Sequence, residues 1–273
     1  MRSPSALHGT IKKAMPVAVI TGASTGIGRE FALLCARDGY DVALIARSHP
    51  ELENLASEIR QSTGRTVWVI AKDLSLASAP AEIFQQMSGL GVPIDVLINN
   101  AGFGLLGRFW QLDESQQVGM IQVNVTALTH LTRLFLPGMI ERRRGRILNV
   151  ASTAAFQPGP LMSVYYATKA YVVSFSEAIH NECRDSGVTV TCLCPGPTRT
   201  EFQQRAGASS AKLFASGRVM DAATVARIGI DALKAGKPLA IAGRLNAVMA
   251  FLTRFAPIQL TASMARRFQE TSS

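Results

Sequence analysis

Short apolar runs without in/out alternation recur along this chain, each followed by a longer stretch with helical spacing. Residues 17–20, 41–45, 66–70, 96–98, 146–150 and 188–194 read as strands. Strands apolar on both faces are strands covered on both faces, and that is the condition of a parallel sheet between two helical layers. Helical patterns fall between them, at 29–38 (closed by Gly39), 51–62 (stopped before Gly64), 115–136 and 163–185. This alternation predicts an α/β fold, a doubly wound parallel β-sheet flanked by helices. With no internal repeat, linker or low-complexity tract, residues 1–273 read as a single domain. Its expected parts are an N-terminal extension over 1–15, a core over 16–200, a lid over 201–220 and a small, helical, apolar and basic C-terminal extension over 244–273.

Composition narrows the classes. Hydrophobic residues make up 48% and charged ones 17%, enough apolar material for a large core and too little charge for a disordered chain. The 28 basic and 19 acidic residues leave +9, which suits anionic lipid, nucleic acid or a phosphorylated ligand. No basic run is interleaved with aromatics, and Arg142, Arg143 and Arg144 fall in a helix-to-strand turn, so nucleic acid is not an expected partner. Cys35, Cys183, Cys192 and Cys194 match no metal-ligand spacing and read as small buried hydrophobes of a reducing compartment; no metal is expected. Residues 1–13 lack the apolar core of a secretory signal, and no run reaches the roughly 18 apolar residues of a membrane span. The expectation is a cytoplasmic protein without a spanning segment.

Thr21-Gly22-Ala23-Ser24-Thr25-Gly26-Ile27-Gly28 stands between the first strand and the first helix. Its T-G-x-x-x-G-x-G spacing differs from the commoner G-x-G-x-x-G, but the physics is shared. Glycines allow positive φ and close backbone approach, and the helix N-terminus presents free N–H groups to a pyrophosphate. After the first strand of an alternating α/β chain, this turn predicts a Rossmann-type dinucleotide site.

Further elements follow in order. Asp73-Leu74 comes after the third strand, Asn99-Asn100-Ala101-Gly102 ends the fourth, and Pro195-Gly196-Pro197-Thr198-Arg199-Thr200 follows the sixth. Together they resemble the short-chain dehydrogenase/reductase family over residues 17–241. The resemblance implies that Asp73 and Leu74 meet the adenine, that Asn100, Ala101 and Gly102 stabilise the sheet beside the cofactor, and that Pro195, Gly196, Thr198 and Thr200 line the nicotinamide. It also implies a homodimer or homotetramer formed through the helices at 115–136 and 163–185.

Selective NAD binders place a carboxylate at the end of the second strand to bond the ribose 2′-hydroxyl. Here Ala46-Arg47-Ser48 follows that strand, and Arg47 suits a 2′-phosphate, so NADP(H) is expected over NAD(H).

Tyr165 and Lys169 are four apart in a helical pattern and share one face. A nearby ammonium favours phenolate and lowers a tyrosine pKa. The family's Y-x-x-x-K spacing selects Tyr165 over Tyr166 as acid/base, with Lys169 tuning it and holding the nicotinamide ribose. Ser152, thirteen residues before Tyr165, matches the family's substrate-orienting serine, and Asn124 matches the asparagine that holds a relay water. The expected activity is hydride transfer between NADP(H) and a small-molecule carbonyl or alcohol. The same fold also serves non-catalytic, redox-sensing regulators, which would carry a damaged Ser/Tyr/Lys set; here the set is complete.

Phe202, Leu213, Phe214 and Met220 make an apolar, acyl- or steroid-like substrate the expectation for the lid. The apolar run 245–255, flanked by Arg244, Arg254, Arg266 and Arg267, leaves three readings open: a helix over the pocket, a subunit interface, or a membrane-surface helix.

Overall fold

The structure, a computed structural model, describes residues 15–207, 219–253 and 255–270. Its first half runs β1 (Val17–Thr21), α1 (Gly26–Arg37), β2 (Asp41–Ala46), α2 (His49–Thr63), β3 (Val67–Ala71), α3 (Ala79–Gly89) and β4 (Ile94–Asn99). The second half opens with α4 (Glu114–Ile121), joined by a π-helical turn (Gln122–Ala127) to α5 (Leu128–Glu141), then β5 (Gly145–Val150), α6 (Ser163–Glu182) and β6 (Val188–Cys194). A ribbon of β7 (Thr198–Arg199) and β8 (Met220–Asp221) carries α7 (Phe202–Arg205) between its strands. The described chain closes with α8 (Ala222–Lys234), β9 (Leu239–Ile241), α9 (Arg244–Leu252) and α10 (Ile258–Gln269).

Seven parallel strands stand in the order β3-β2-β1-β4-β5-β6-β9. This is the doubly wound Rossmann-type sheet expected from the alternation. Ala18 and Ile20 face a core built with Phe31, Leu52, Ile59 and Ile230. Val17 and Val19 face the opposite core, with Ile83, Leu131, Phe135 and Met139. Both faces of β1 are buried, which explains its lack of polar alternation.

Several elements escaped the sequence reading, among them α3, α8 and β9. Helix α3 carries Pro80 in its first turn, a position that needs no backbone donor, so the proline starts this helix instead of breaking it. Strand β9 has three residues, too few for a period, and is defined by its pairing with β6. The Arg142–Arg144 cluster does occupy the α5–β5 turn, where Arg142 donates to the Ile94 carbonyl (2.8 Å) and Arg144 pairs with Asp95 (2.8 Å). All four cysteines are free and buried. Leu213, Phe214 and Arg254, like residues 1–14, lie outside the described residues.

A buried polar chain crosses the sheet. Asn99 Nδ2 donates to Asn149 Oδ1 (2.9 Å) and to Thr132 Oγ1 (3.1 Å), while Asn149 Nδ2 donates to Ser176 Oγ (3.0 Å). It joins β4, β5, α5 and α6 directly behind the site described below. Asn149→Ala removes two of these bonds at a site of no exposure, and is expected to cost about 1–3 kcal/mol, read as a lower urea midpoint.

Candidate active site

The strand order reverses between β1 and β4, and a crevice opens where crossovers leave the carboxyl ends in opposite directions. Here it is a cleft of about 890 Å³. Ser24, Thr25, Gly26 and Ile27 line it at the start of α1, so the free N–H groups of that helix face inward. Gly22 and Gly26 hold φ of 66° and 56°. At Gly28 an added Cβ would lie 2.0 Å from the Gly22 carbonyl oxygen.

Thr21 and Gly28 do not line the cleft; they hold its wall in shape. Thr21 Oγ1 accepts from the N–H groups of Asn100 and Ala101, both at 3.0 Å. Asn100 Nδ2 donates back to the carbonyls of Thr21 (3.0 Å) and Gly22 (3.2 Å). Asn100, Ala101 and Gly102 form the floor.

At one end of the cleft stand Arg47 and Ser48, beyond β2, with Lys72, Asp73 and Leu74 beyond β3. Lys72 was missed by the sequence reading. Ala46 pairs with Ala71 in the β2–β3 register, so the residues that follow, Arg47 and Lys72, leave the sheet side by side. Lys72 is ion-paired with Glu82.

At the other end α6 presents Tyr165 and Lys169, and the segment after β5 presents Ser152. The Ser152 hydroxyl hydrogen-bonds that of Tyr165 and accepts from the Ala154 N–H (3.1 Å). Burial pushes the Tyr165 phenol up from its ordinary value of 10.0, and the Ser152 bond pulls the other way. Burial, and not the lowering by Lys169 expected from the sequence, sets this direction: the ammonium sits 5.7 Å from the ring centroid and donates to the Val150 carbonyl (2.9 Å). Desolvation brings Lys169 itself down from 10.5 to about 8, opposed by Cys192 and Cys194 beneath it. Tyr166, the rival tyrosine, also lines the cleft, but its hydroxyl is engaged by Gln269 Nε2, from which it accepts (2.9 Å).

Asn124 sits in the π-helical turn and does not line the cleft. Its amide donates to the Phe103 carbonyl (3.0 Å) and Thr168 Oγ1 (3.1 Å) and accepts from the Phe103 N–H (3.1 Å). It therefore clamps the floor to α6. A Cβ on Gly102 would meet Asn124 Oδ1 at 3.0 Å and Lys169 Nζ at 3.3 Å, so the asparagine and the lysine share one wall.

Pro195, Gly196, Thr198 and Thr200 line the cleft as the resemblance implied. Asn246 of α9 packs on Gly196, where a Cβ would come within 2.2 Å of its Nδ2. Leu105, Met162 and Phe202 make an apolar wall, and the Phe202 ring lies 5.3 Å from that of Tyr165. Helix α10 completes the lining with Ala265, Phe268 and Gln269. A helical C-terminal extension was expected, but not that α10 would line the cleft, because its placement rests on a bond between Gln269 and Tyr166, 103 residues apart. Among the described residues no group of three or more His, Cys, Asp or Glu could hold a metal ion.

This fold and cleft define an α/β oxidoreductase that binds a nicotinamide dinucleotide. The family model for short chain dehydrogenases matches residues 16–211. A 17-beta-hydroxysteroid dehydrogenase type 3 of Rattus norvegicus is 34% identical over 229 residues, 83% of this chain and 74% of its own length. A very-long-chain 3-oxoacyl-CoA reductase of Laccaria bicolor is 38% identical over 178 residues, 64% of this chain and 53% of its own. Among solved structures, a short-chain dehydrogenase from Sphingobium yanoikuyae in complex with NADPH superposes with a TM-score of 0.78 at 31% identity, covering 88% of this chain and 94% of that one. The chain belongs to the short-chain dehydrogenase/reductase family of NAD(P)-dependent oxidoreductases.

Two outcomes test the geometry. Gly28→Ala forces Gly22 and Asn100 apart, and is expected to weaken nucleotide binding at least about tenfold in a fluorescence titration while the chain stays folded. For Lys169 the sign is fixed by its depressed pKa. Between pH 8 and 10.5 the folded chain has released a proton that the unfolded chain still holds, so stability rises with pH across that window. Wild type should gain up to about 3 kcal/mol over Lys169→Met between those limits, measured by denaturant unfolding at each pH.

Proposed function

We propose that this protein is an NADP(H)-dependent reductase or dehydrogenase of lipophilic ketones and alcohols. The convergence of Ser152, Tyr165 and Lys169 beneath an apolar wall carries this reading. The cleft fits the dinucleotide on its own terms. Its turn has no room for side chains at Gly22 or Gly28, its α1 N–H groups face inward, and Arg47 and Lys72 line the end where a 2′-phosphate would lie. Two cations there, with no carboxylate at the end of β2, support preference for NADP(H) over NAD(H).

When bound, the nicotinamide supplies the hydride that reduces the carbonyl carbon, and takes it back in oxidation. Ser152 holds the substrate oxygen by a hydrogen bond that strengthens as negative charge develops there. Tyr165 delivers its proton to that oxygen; its raised pKa keeps the phenol protonated and able to donate. Lys169, brought to about 8, lies near enough to neutrality to exchange a proton behind the tyrosine. Met162, Leu105, Phe202 and Phe268 exclude water and favour an acyl- or steroid-like body, the class named by the steroid and oxoacyl relatives.

Helices α4 and α6 carry exposed Val118, Ile121 and Tyr171, which supports self-association through them as a dimer or tetramer. Buried free thiols suit the cytoplasm.

Tyr165→Phe should lower kcat about 10²–10⁴-fold with NADPH affinity held, followed as NADPH oxidation against aromatic ketones, steroids and 3-oxoacyl thioesters. A variant that keeps most of its turnover overturns the assignment. Arg47→Asp should shift the NADPH/NADH ratio of kcat/KM by about 10–100-fold towards NADH.

A further inference from the structure

Helices α9 and α10 leave an apolar surface uncovered. On α9, Leu245, Val248, Met249 and Leu252 recur at i, i+3, i+4 and i+7 and are all about half exposed. Phe251 and Phe255 extend it, with ring centroids 5.2 Å apart and exposures of 58% and 73%. On α10, Leu260, Met264 and Phe268 form a second exposed stripe, while Thr261, Ala265 and Gln269 face inward. A run of this kind is more than the scattered apolar residues of an ordinary surface. No helix among the described residues is long and apolar enough to cross a membrane.

Charge chooses the occupant. Residues 244–273 contain four arginines against one glutamate, within a chain of net charge +9. Arg267 lies seven residues after Leu260, on the same side of α10, where a long basic side chain reaches headgroups while its stem lies along apolar surface. A second copy docked by the same face would set these arginines against each other, whereas anionic lipid neutralises them.

The surface is continuous with the cleft. Phe268 lines the cavity and is also 46% exposed, and Asn246 seats α9 on Gly196 of the cleft wall. We infer that α9 and α10 seat this protein on an anionic lipid surface, with the cleft mouth turned to the membrane so that a lipophilic substrate enters from it. The entry route rests on the proposed lipophilic substrate; the membrane contact does not.

The test is co-sedimentation of the full chain with phosphatidylcholine vesicles, with and without phosphatidylserine, in the absence of nucleotide and substrate. Two variants accompany it, Val248→Ser/Phe251→Ser/Phe255→Ser and Arg266→Gln/Arg267→Gln, none of them in the catalytic set; unchanged melting and NADPH binding confirm that they fold. Wild type should pellet with the anionic vesicles, weakening with salt, and each variant should bind at least about tenfold less. Failure to pellet, or pelleting indifferent to both variants, overturns the inference. So does a wild type larger than the serine variant by light scattering and unbound to lipid, since the face would then join two copies. A chain that binds vesicles but reduces no ketone keeps the membrane face and removes the enzymatic reading; one that reduces ketones without binding does the reverse.

Discussion

The reciprocal tie between Thr21 and Asn100 carries the geometry on which this site depends. The two strands it joins diverge in connectivity, since the chain leaves β1 towards one edge of the sheet and β4 towards the other. Nothing in a parallel ladder by itself holds the loops after such strands at a constant separation. Thr21 satisfies two backbone donors at the end of β4, and Asn100 satisfies two backbone carbonyls at the end of β1. Four short bonds thereby shape the phosphate turn and the floor together. Gly28 must lack a side chain because this closure leaves no volume for one.

The Tyr165 end of the cleft is organised by burial. Lys169 and Tyr165 both lie where the charged form is disfavoured, so the ammonium comes down and the phenol goes up. These opposed shifts drive the two groups apart: they keep the phenol protonated and leave the lysine able to release a proton near neutrality. Ser152 is the counterweight, bonding the phenol and bonded in turn by the Ala154 amide. The polar chain from Asn99 through Asn149 to Ser176 supports α6 from behind, so the helix that aims Tyr165 is pinned to the sheet by hydrogen bonds as well as by packing.

Legibility in the sequence followed the range of the interactions. The strands over 17–20, 41–45 and 188–194 were readable because burial on both faces leaves a local trace, a short run dominated by apolar and β-branched residues. The helix period puts Tyr165 and Lys169 on one face, and the family resemblance joined Ser152 to them. Lys72 was not readable, because its neighbour Arg47 lies across a strand pairing and not along the chain. The contacts of the Asn124 amide with Phe103 and Thr168 were not readable either, because their partners lie 21 and 44 residues away.

The sequence by itself determined the α/β layering and the glycine turn, since each depends on period or the absence of a Cβ, and its resemblance to the family singled out Ser152, Tyr165 and Lys169. The tertiary structure alone decided that Thr21 and Gly28 brace the wall instead of lining it, that Arg47 has a lysine beside it, and that α10 closes the cleft while α9 rests on its rim. Those outcomes depend on non-local closure: a hydrogen bond from Gln269 to Tyr166 has no period and no interval, and exists only once the fold has brought α10 against α6.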